Sequence, residues 1–205
     1  MFKKPLLLVF VLLLVDQMTK IYVKTHFTYG ESVVVFSWFQ ILFIENEGAA
    51  WGAKLSDVLP ISDALGKLML TTFRLFAIVG IGYWFLSSIK KQAPILLQMG
   101  LALIFAGALG NIIDSVFYGI IFNESGYQIA SLFSEEPYGS LLQGKVVDML
   151  YFPMLDTTWP QWVPRLGGAP LRFFEPVFNI ADTAISTGVG LLLVFNKKAF
   201  PEKES

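Results

Sequence analysis

The chain has 205 residues, 55% of them hydrophobic and only 15% charged, with a mean hydropathy of +0.61, so it belongs with membrane proteins rather than ordinary soluble domains. A net charge of −1 without a dense Lys/Arg block excludes a nucleic-acid surface, which needs clustered cations against the phosphate backbone. With no Cys and a single His, His26, disulfides, thiol nucleophiles, Cys/His zinc sites and a Ser-His-Asp triad are excluded too.

Segments at about 5–24, 66–88, 95–116 and 177–195 are long and apolar enough to cross a hydrocarbon core as helices. In the first, Lys3 and Lys4 precede a Leu/Val run. No small-x-small cleavage site follows, and the run continues through Asp16 and Lys20, so it reads as a retained helix. Residues 33–44 are β-branched and aromatic but too short to span, and they predict strands of a small sheet at the membrane surface. There the Phe and Trp side chains either anchor the interface or form a greasy cradle for a lipidated substrate. Lys90 and Lys91 lie in the tight turn between the second and third segments, and Lys197, Lys198 and Lys203 follow the fourth. With Lys3 and Lys4 they place both termini in the cytoplasm and the two long connections, about 25–65 and 117–176, outside. Within the second connection, 123–143 and 157–170 read as surface insertions. The predicted fold is membrane α-helical: one domain over 1–205, four transmembrane helices, a small extracytoplasmic β-sheet and inserted loops.

Ionisable groups inside spans are costly and mark candidate functional positions. Asp16 and Lys20, four apart, share one helix face and read as a structural ion pair. Arg74 lies near the outer end of the second span, with no partner readable from the sequence. Asn111 and Asp114 form an i, i+3 pair after Gly100, Gly107 and Gly110, small residues that permit close helix contact in lipid. Asn179 and Asp182 repeat that spacing at the start of the fourth span, where Ser186 and Gly190 continue the face. Asp148 lies outside the spans, on an apolar stretch expected to ride at the interface as a loop. Two carboxylates brought together in a partly dry site share a proton and can act as base and acid in peptide hydrolysis. Spacing alone does not choose between Asp114 and the pair Asp148 and Asp182.

The same segments resemble, in order, the signature blocks of the lipoprotein signal peptidase (signal peptidase II) family. Asp16-Gln17-Met18-Thr19-Lys20 looks like its Asp-Gln-x-Thr-Lys block, and Asn46-Glu47-Gly48-Ala49-Ala50-Trp51-Gly52 looks like its Asn-x-Gly-Ala-Ala-aromatic block. Gly110-Asn111-Ile112-Ile113-Asp114 is similar to its Gly-Asn-x-x-Asp-Arg block. Val146-Val147-Asp148 and Phe178-Asn179-Ile180-Ala181-Asp182 are similar to the blocks bearing its two catalytic Asp residues. The resemblance implies Asp148 and Asp182 as a catalytic dyad. It also implies Asn46, Gly48, Asn111, Asp114, Asn179 and Ala181 as substrate-binding or supporting residues, and Asp16 and Lys20 as structural ones. It further implies an aspartyl endopeptidase without cofactor or metal, acting in the bacterial cytoplasmic (inner) membrane with its site near the periplasmic face. That enzyme removes signal peptides from diacylglyceryl-modified prolipoproteins before the lipidated Cys; membrane lipids are its other partners, and a monomer is expected.

Two features depart from the pattern. Ser115 stands where the family has Arg, with Arg165 or Arg172 as candidate replacements, and the connections around Asp148 are long, making 123–143 and 157–170 candidate lids. Three readings compete with the peptidase. A proton-coupled transporter would use Asp16, Asp114 and Asp182 as a relay. A scaffold would use the polar residues only as helix glue. A Ser-Lys peptidase would pair Ser115 with Lys20.

Overall fold

The computed structural model describes residues 3–47, 54–153, 155–173 and 176–201. Helix α1 (Lys3–His26) takes its Leu/Val run without an internal breaker. Strands β1 (Ser32–Phe36) and β2 (Phe39–Asn46) form the predicted surface hairpin. Helix α2 (Asp63–Lys90) starts at Ser62, whose hydroxyl accepts the Leu65 N–H at 3.3 Å as an N-cap. Two turn residues after it, Lys91 and Gln92, reverse the chain, Gln92 at φ 52°. Helix α3 (Ile95–Ile113) follows Pro94, then widens into one π-helical turn (Asp114–Tyr118) before the short α4 (Gly119–Ile121).

Strand β3 (Val146–Tyr151) pairs antiparallel with β2. A separate hairpin, β4 (Leu155–Thr158) with β5 (Pro170–Phe173), leads to β6 (Val177–Phe178), which pairs with β3. The main sheet therefore runs β1-β2-β3-β6. Helix α5 (Ile180–Val194) and the single turn α6 (Asn196–Ala199) end the chain.

Three helical stretches, Lys3–His26, Asp63–Lys90 and Ile95–Ile121, are long and apolar enough to span a membrane, and Ile180–Val194 is a shorter apolar helix. The fourth predicted segment thus begins three residues late, because its first residues are drawn into β6 and the Asn179 cap.

Glycines let α3 and α5 meet at backbone distance. A Cβ on Gly107 would lie 2.2 Å from the Ala181 carbonyl oxygen, and one on Gly188 would lie 2.8 Å from that of Gly100. Gly190, expected on the same face, looks into open space.

Residues 123–143 are not a loose insertion. Phe122, Ala130 and Tyr138 join Val23, Phe27, Phe43, Val147 and Met149 in one apolar cluster. The buried Lys24 ammonium is ion-paired to Glu45 and donates to Ser125 Oγ at 2.7 Å, among the rings of Phe43, Phe122 and Tyr138. Lys145 adds bridges to Glu124 at 2.7 Å and Glu47 at 3.3 Å. Most of this packing is on the Val147/Met149 side of β3, opposite Asp148, while Leu142 at its end packs with Ile112 and Val116 of the α3 region. Segment 157–170 forms the end of the β4–β5 hairpin, with Trp162 exposed.

Candidate active site

Asp148 lies in the middle of a strand, not on a loop. The stretch Val146-Val147-Asp148-Met149 alternates: Val147 and Met149 enter the apolar cluster, so Val146 and Asp148 face the other way and line a cleft of about 550 Å³. That cleft is also lined by Asn46 from β2, Arg74 and Ile78 from α2, Asn111 and Ile112 from α3, and Asp182 and Ser186 from α5.

Asp182 is placed by a reciprocal cap. Asn179 Oδ1 accepts the Asp182 N–H at 2.9 Å, and the Asn179 N–H donates to Asp182 Oδ2 at 3.3 Å, which satisfies two donors at the α5 start. The fully buried Asn179 side chain then ties the helix to the sheet, its Nδ2 donating to Asp148 Oδ1 at 2.7 Å and to the Val147 carbonyl at 3.2 Å. Asn111 Nδ2 donates to Asp182 Oδ1 at 2.8 Å. Asn46 Nδ2 reaches Asp148 Oδ2 at 3.5 Å, at the limit of a hydrogen bond. Each cleft carboxylate is thus held by neutral amides.

Asp16, Lys20 and Asp114 lie behind this layer. Lys20 Nζ contacts Asp16 at 3.0 Å, Asp114 at 2.8 Å and Asn111 Oδ1 at 2.8 Å. Asp16 Oδ1 accepts the Ala181 N–H at 2.9 Å. Asp114 accepts Gln17 Nε2 at 3.0 Å and the Val147 N–H at 3.3 Å. The expected Asp16–Lys20 pair is therefore a triad, and Lys20 touches Asn111, which touches Asp182. Every oxygen of Asp16 and Asp114 has a partner, and both residues are buried, whereas Asp148 and Asp182 border the cleft.

Burial raises the Asp148 carboxyl to about 7, with the neighbouring Asp182 charge as the second cause. A group so placed exchanges its proton near neutral pH.

Other expectations resolve unevenly. Ser115 is buried and donates from Oγ to the Asn111 carbonyl at 2.9 Å, so it braces α3 and is not paired with Lys20. Arg165 is exposed, away from Asp114, whose cationic partner is Lys20. The Arg172 side chain and Gly48 lie outside what is described. Sequence reasoning passed over Gln17 as more than a motif letter: its amide joins Asp16, Asp114 and the Gly110 carbonyl, and its Oε1 accepts Tyr118 Oη at 3.2 Å. An amide beside a carboxylate in an apolar helix was the available signal.

A family model described as Signal peptidase (SPase) II matches residues 8–197. The lipoprotein signal peptidase of Porphyromonas gingivalis is 46% identical over 189 residues, covering 91% of this chain and 80% of that protein. That of Amoebophilus asiaticus is 34% identical over 193 residues, covering 90% and 73%. A solved bacterial membrane enzyme matches with a TM-score of 0.62 at 25% identity, covering 99% of this chain and 93% of that one. With nearly its whole length inside the family match, the chain belongs to the signal peptidase II family.

Proposed function

We propose that the protein is an intramembrane aspartyl endopeptidase that removes signal peptides from diacylglyceryl-modified prolipoproteins, with Asp148 and Asp182 as its catalytic pair. The observation that carries the assignment is the shared cleft: among the described carboxylates, only these two line it. Asp16 and Asp114 are spent on fixed contacts, which also leaves them no freedom to act as a proton relay.

One member of the pair, ionised, takes a proton from water as the oxygen attacks the scissile carbonyl carbon. The other, protonated, donates to the carbonyl oxygen. Collapse of the tetrahedral adduct returns a proton to the departing nitrogen, leaving a carboxylate on the signal peptide and a free amino group on the lipidated Cys. Ala77, Ile78, Ile81 and Ile112 give the cleft apolar walls, suited to a substrate arriving sideways from the bilayer.

The basic turn at Lys90 and Lys91 and the basic C-terminal end support four spans with both termini in the cytoplasm of an inner membrane. The sheet and the dyad then lie at its outer face. Helix α5 spans 15 residues, about 22 Å at helical rise, and the single turn α6 follows it after Phe195. The whole chain is then one membrane domain, working as a monomer among lipids.

The test is reconstitution of the purified protein with a precursor in diacylglyceryl-modified and unmodified forms, with products read by mass spectrometry. Cleavage immediately before the lipidated Cys, confined to the modified form, is expected. Equal cleavage of the unmodified precursor would remove lipid recognition from the proposal.

A further inference from the structure

The two cleft carboxylates differ in what surrounds them. Asp182 is the third residue of a 15-residue helix, α5, so its carboxylate lies at the positive end of the helix dipole. It accepts two hydrogen bonds, from Asn111 Nδ2 at 2.8 Å and the Asn179 N–H at 3.3 Å. Across the cleft Arg74, from α2, lines the same space and interacts electrostatically with it. Asp148 lies mid-strand, 5% exposed, and meets the α5 end through the Asn179 side chain rather than from within the helix's first turn. Among the described residues its hydrogen bonds come from the neutral amides of Asn179 and Asn46, the latter at 3.5 Å. Lys20, whose charge also acts on Asp148, is held by Asp16, Asp114 and Asn111.

We infer that Arg74 is a positioning residue that holds Asp182 ionised, so that Asp182 is the base and Asp148 the acid of the pair. The assignment rests on the dyad proposed above. Among the described residues, the charged groups facing Asp182 are Arg74 from α2, Asp148 from β3 and, behind Asn111, the Asp16–Lys20–Asp114 triad from α1 and the end of α3. Of these, Arg74 is the one cation on the cleft side. Burial of Asp148 works in the same direction, because a carboxyl raised to about 7 keeps its proton beside an ionised neighbour.

The roles fix the path of each proton. Asp182 takes one from the attacking water, whose oxygen bonds to the carbonyl carbon. Asp148 gives one to the carbonyl oxygen. On collapse Asp182 passes its proton to the departing nitrogen as the carbon–nitrogen bond breaks, and Asp148 recovers a proton from the adduct hydroxyl. The scissile carbonyl oxygen therefore points toward β3 and the leaving nitrogen toward α5.

The test is the pH profile of kcat/KM for wild type, Arg74→Gln and Arg74→Lys in lipid nanodiscs with a diacylglyceryl-modified precursor. Removing a cation raises the pH at which its neighbouring carboxylate ionises. Arg74→Gln should therefore move the acid limb up by about one unit, and Arg74→Lys should hold it near the wild-type position. An acid limb unmoved in Arg74→Gln, whatever the loss of rate, overturns the role of Arg74.

Should Arg74→Gln not fold, infrared difference spectra on otherwise unaltered protein decide the proton's place. A protonated-carboxyl band, present below a pH of about 7, should vanish in Asp148→Asn. A spectrum unchanged by that substitution overturns the split. Failure of the dyad itself shows differently, as turnover retained by Asp148→Asn or Asp182→Asn.

Discussion

Buried carboxylates in this protein divide by what satisfies them, and stability should report the division. Asp148 is raised to about 7 by burial, against an ordinary value of about 3.9 in the unfolded chain. A raised folded value means stability that is whole below the unfolded value and is lost as pH rises through the folded one. Asp148→Asn should thus melt higher than wild type above pH of about 7, with the gap closing toward pH of about 4. Melting curves in detergent across that window check it, and a gap independent of pH would refute it. Lys20→Met should do the opposite at neutral pH. It strands Asp16 and Asp114 without their shared cation and should destabilise by about 3–5 kcal/mol, measured by the same melts.

Asn179→Ala removes both a helix cap and the amide held between Val147 and Asp148. It should cost about 2 kcal/mol and most of the activity, whereas a loss of stability with full turnover would separate the cap from the site. Most of these residues were legible as polar groups in an apolar chain. Their partners were not, since Lys20 meets Asp114 across 94 positions of sequence and no local spacing encodes that contact.

At the scale of elements, the site depends on close backbone approach. Gly144 allows the chain to pass the π-helical turn, where an added Cβ would lie 1.9 Å from the Asp114 carbonyl oxygen. Gly107 does the same for α5 at 2.2 Å from Ala181. Alanine at either position forces the backbones apart and should destabilise by about 1–3 kcal/mol. For Gly107→Ala the displaced Ala181–Asp182 turn should also lower kcat more than it raises KM, and an unchanged kcat would contradict the packing described.

Helices α1 to α3 were readable from length and apolarity alone, as was the surface hairpin from its β-branched and aromatic run. Strand β3 was not: its six residues are too few to separate an interface loop from a strand until β2 and β6 are seen on either side. Lys24 escaped notice because a lysine near the end of a span normally reaches water. Here Glu45 and Ser125, from two distant connections, close over it.

Across the whole molecule, sheet and helices meet along one seam, and the cleft lies on it. Asn179 fastens that seam by touching α3, β3 and its own helix. Across the sheet from β1 to β6, Phe36, Trp38, Phe39, Phe152 and Phe178 form an aromatic row. Phe36 and Trp38 are exposed, and Phe178 borders the cleft. Either the interface anchor or the lipid cradle expected from the sequence would use that row. Composition could set the class of molecule, but only the folded chain shows which carboxylates share a space.

The most direct measurement is the single-turnover rate of signal-peptide cleavage from a diacylglyceryl-modified precursor by wild type, Asp148→Asn, Asp182→Asn and Asp114→Asn, each shown to be folded. Cleavage should fall by at least about a thousandfold in both dyad variants. Asp114→Asn should lose stability but retain measurable turnover in whatever fraction stays folded. Near-wild-type cleavage by folded Asp148→Asn or Asp182→Asn would contradict the account.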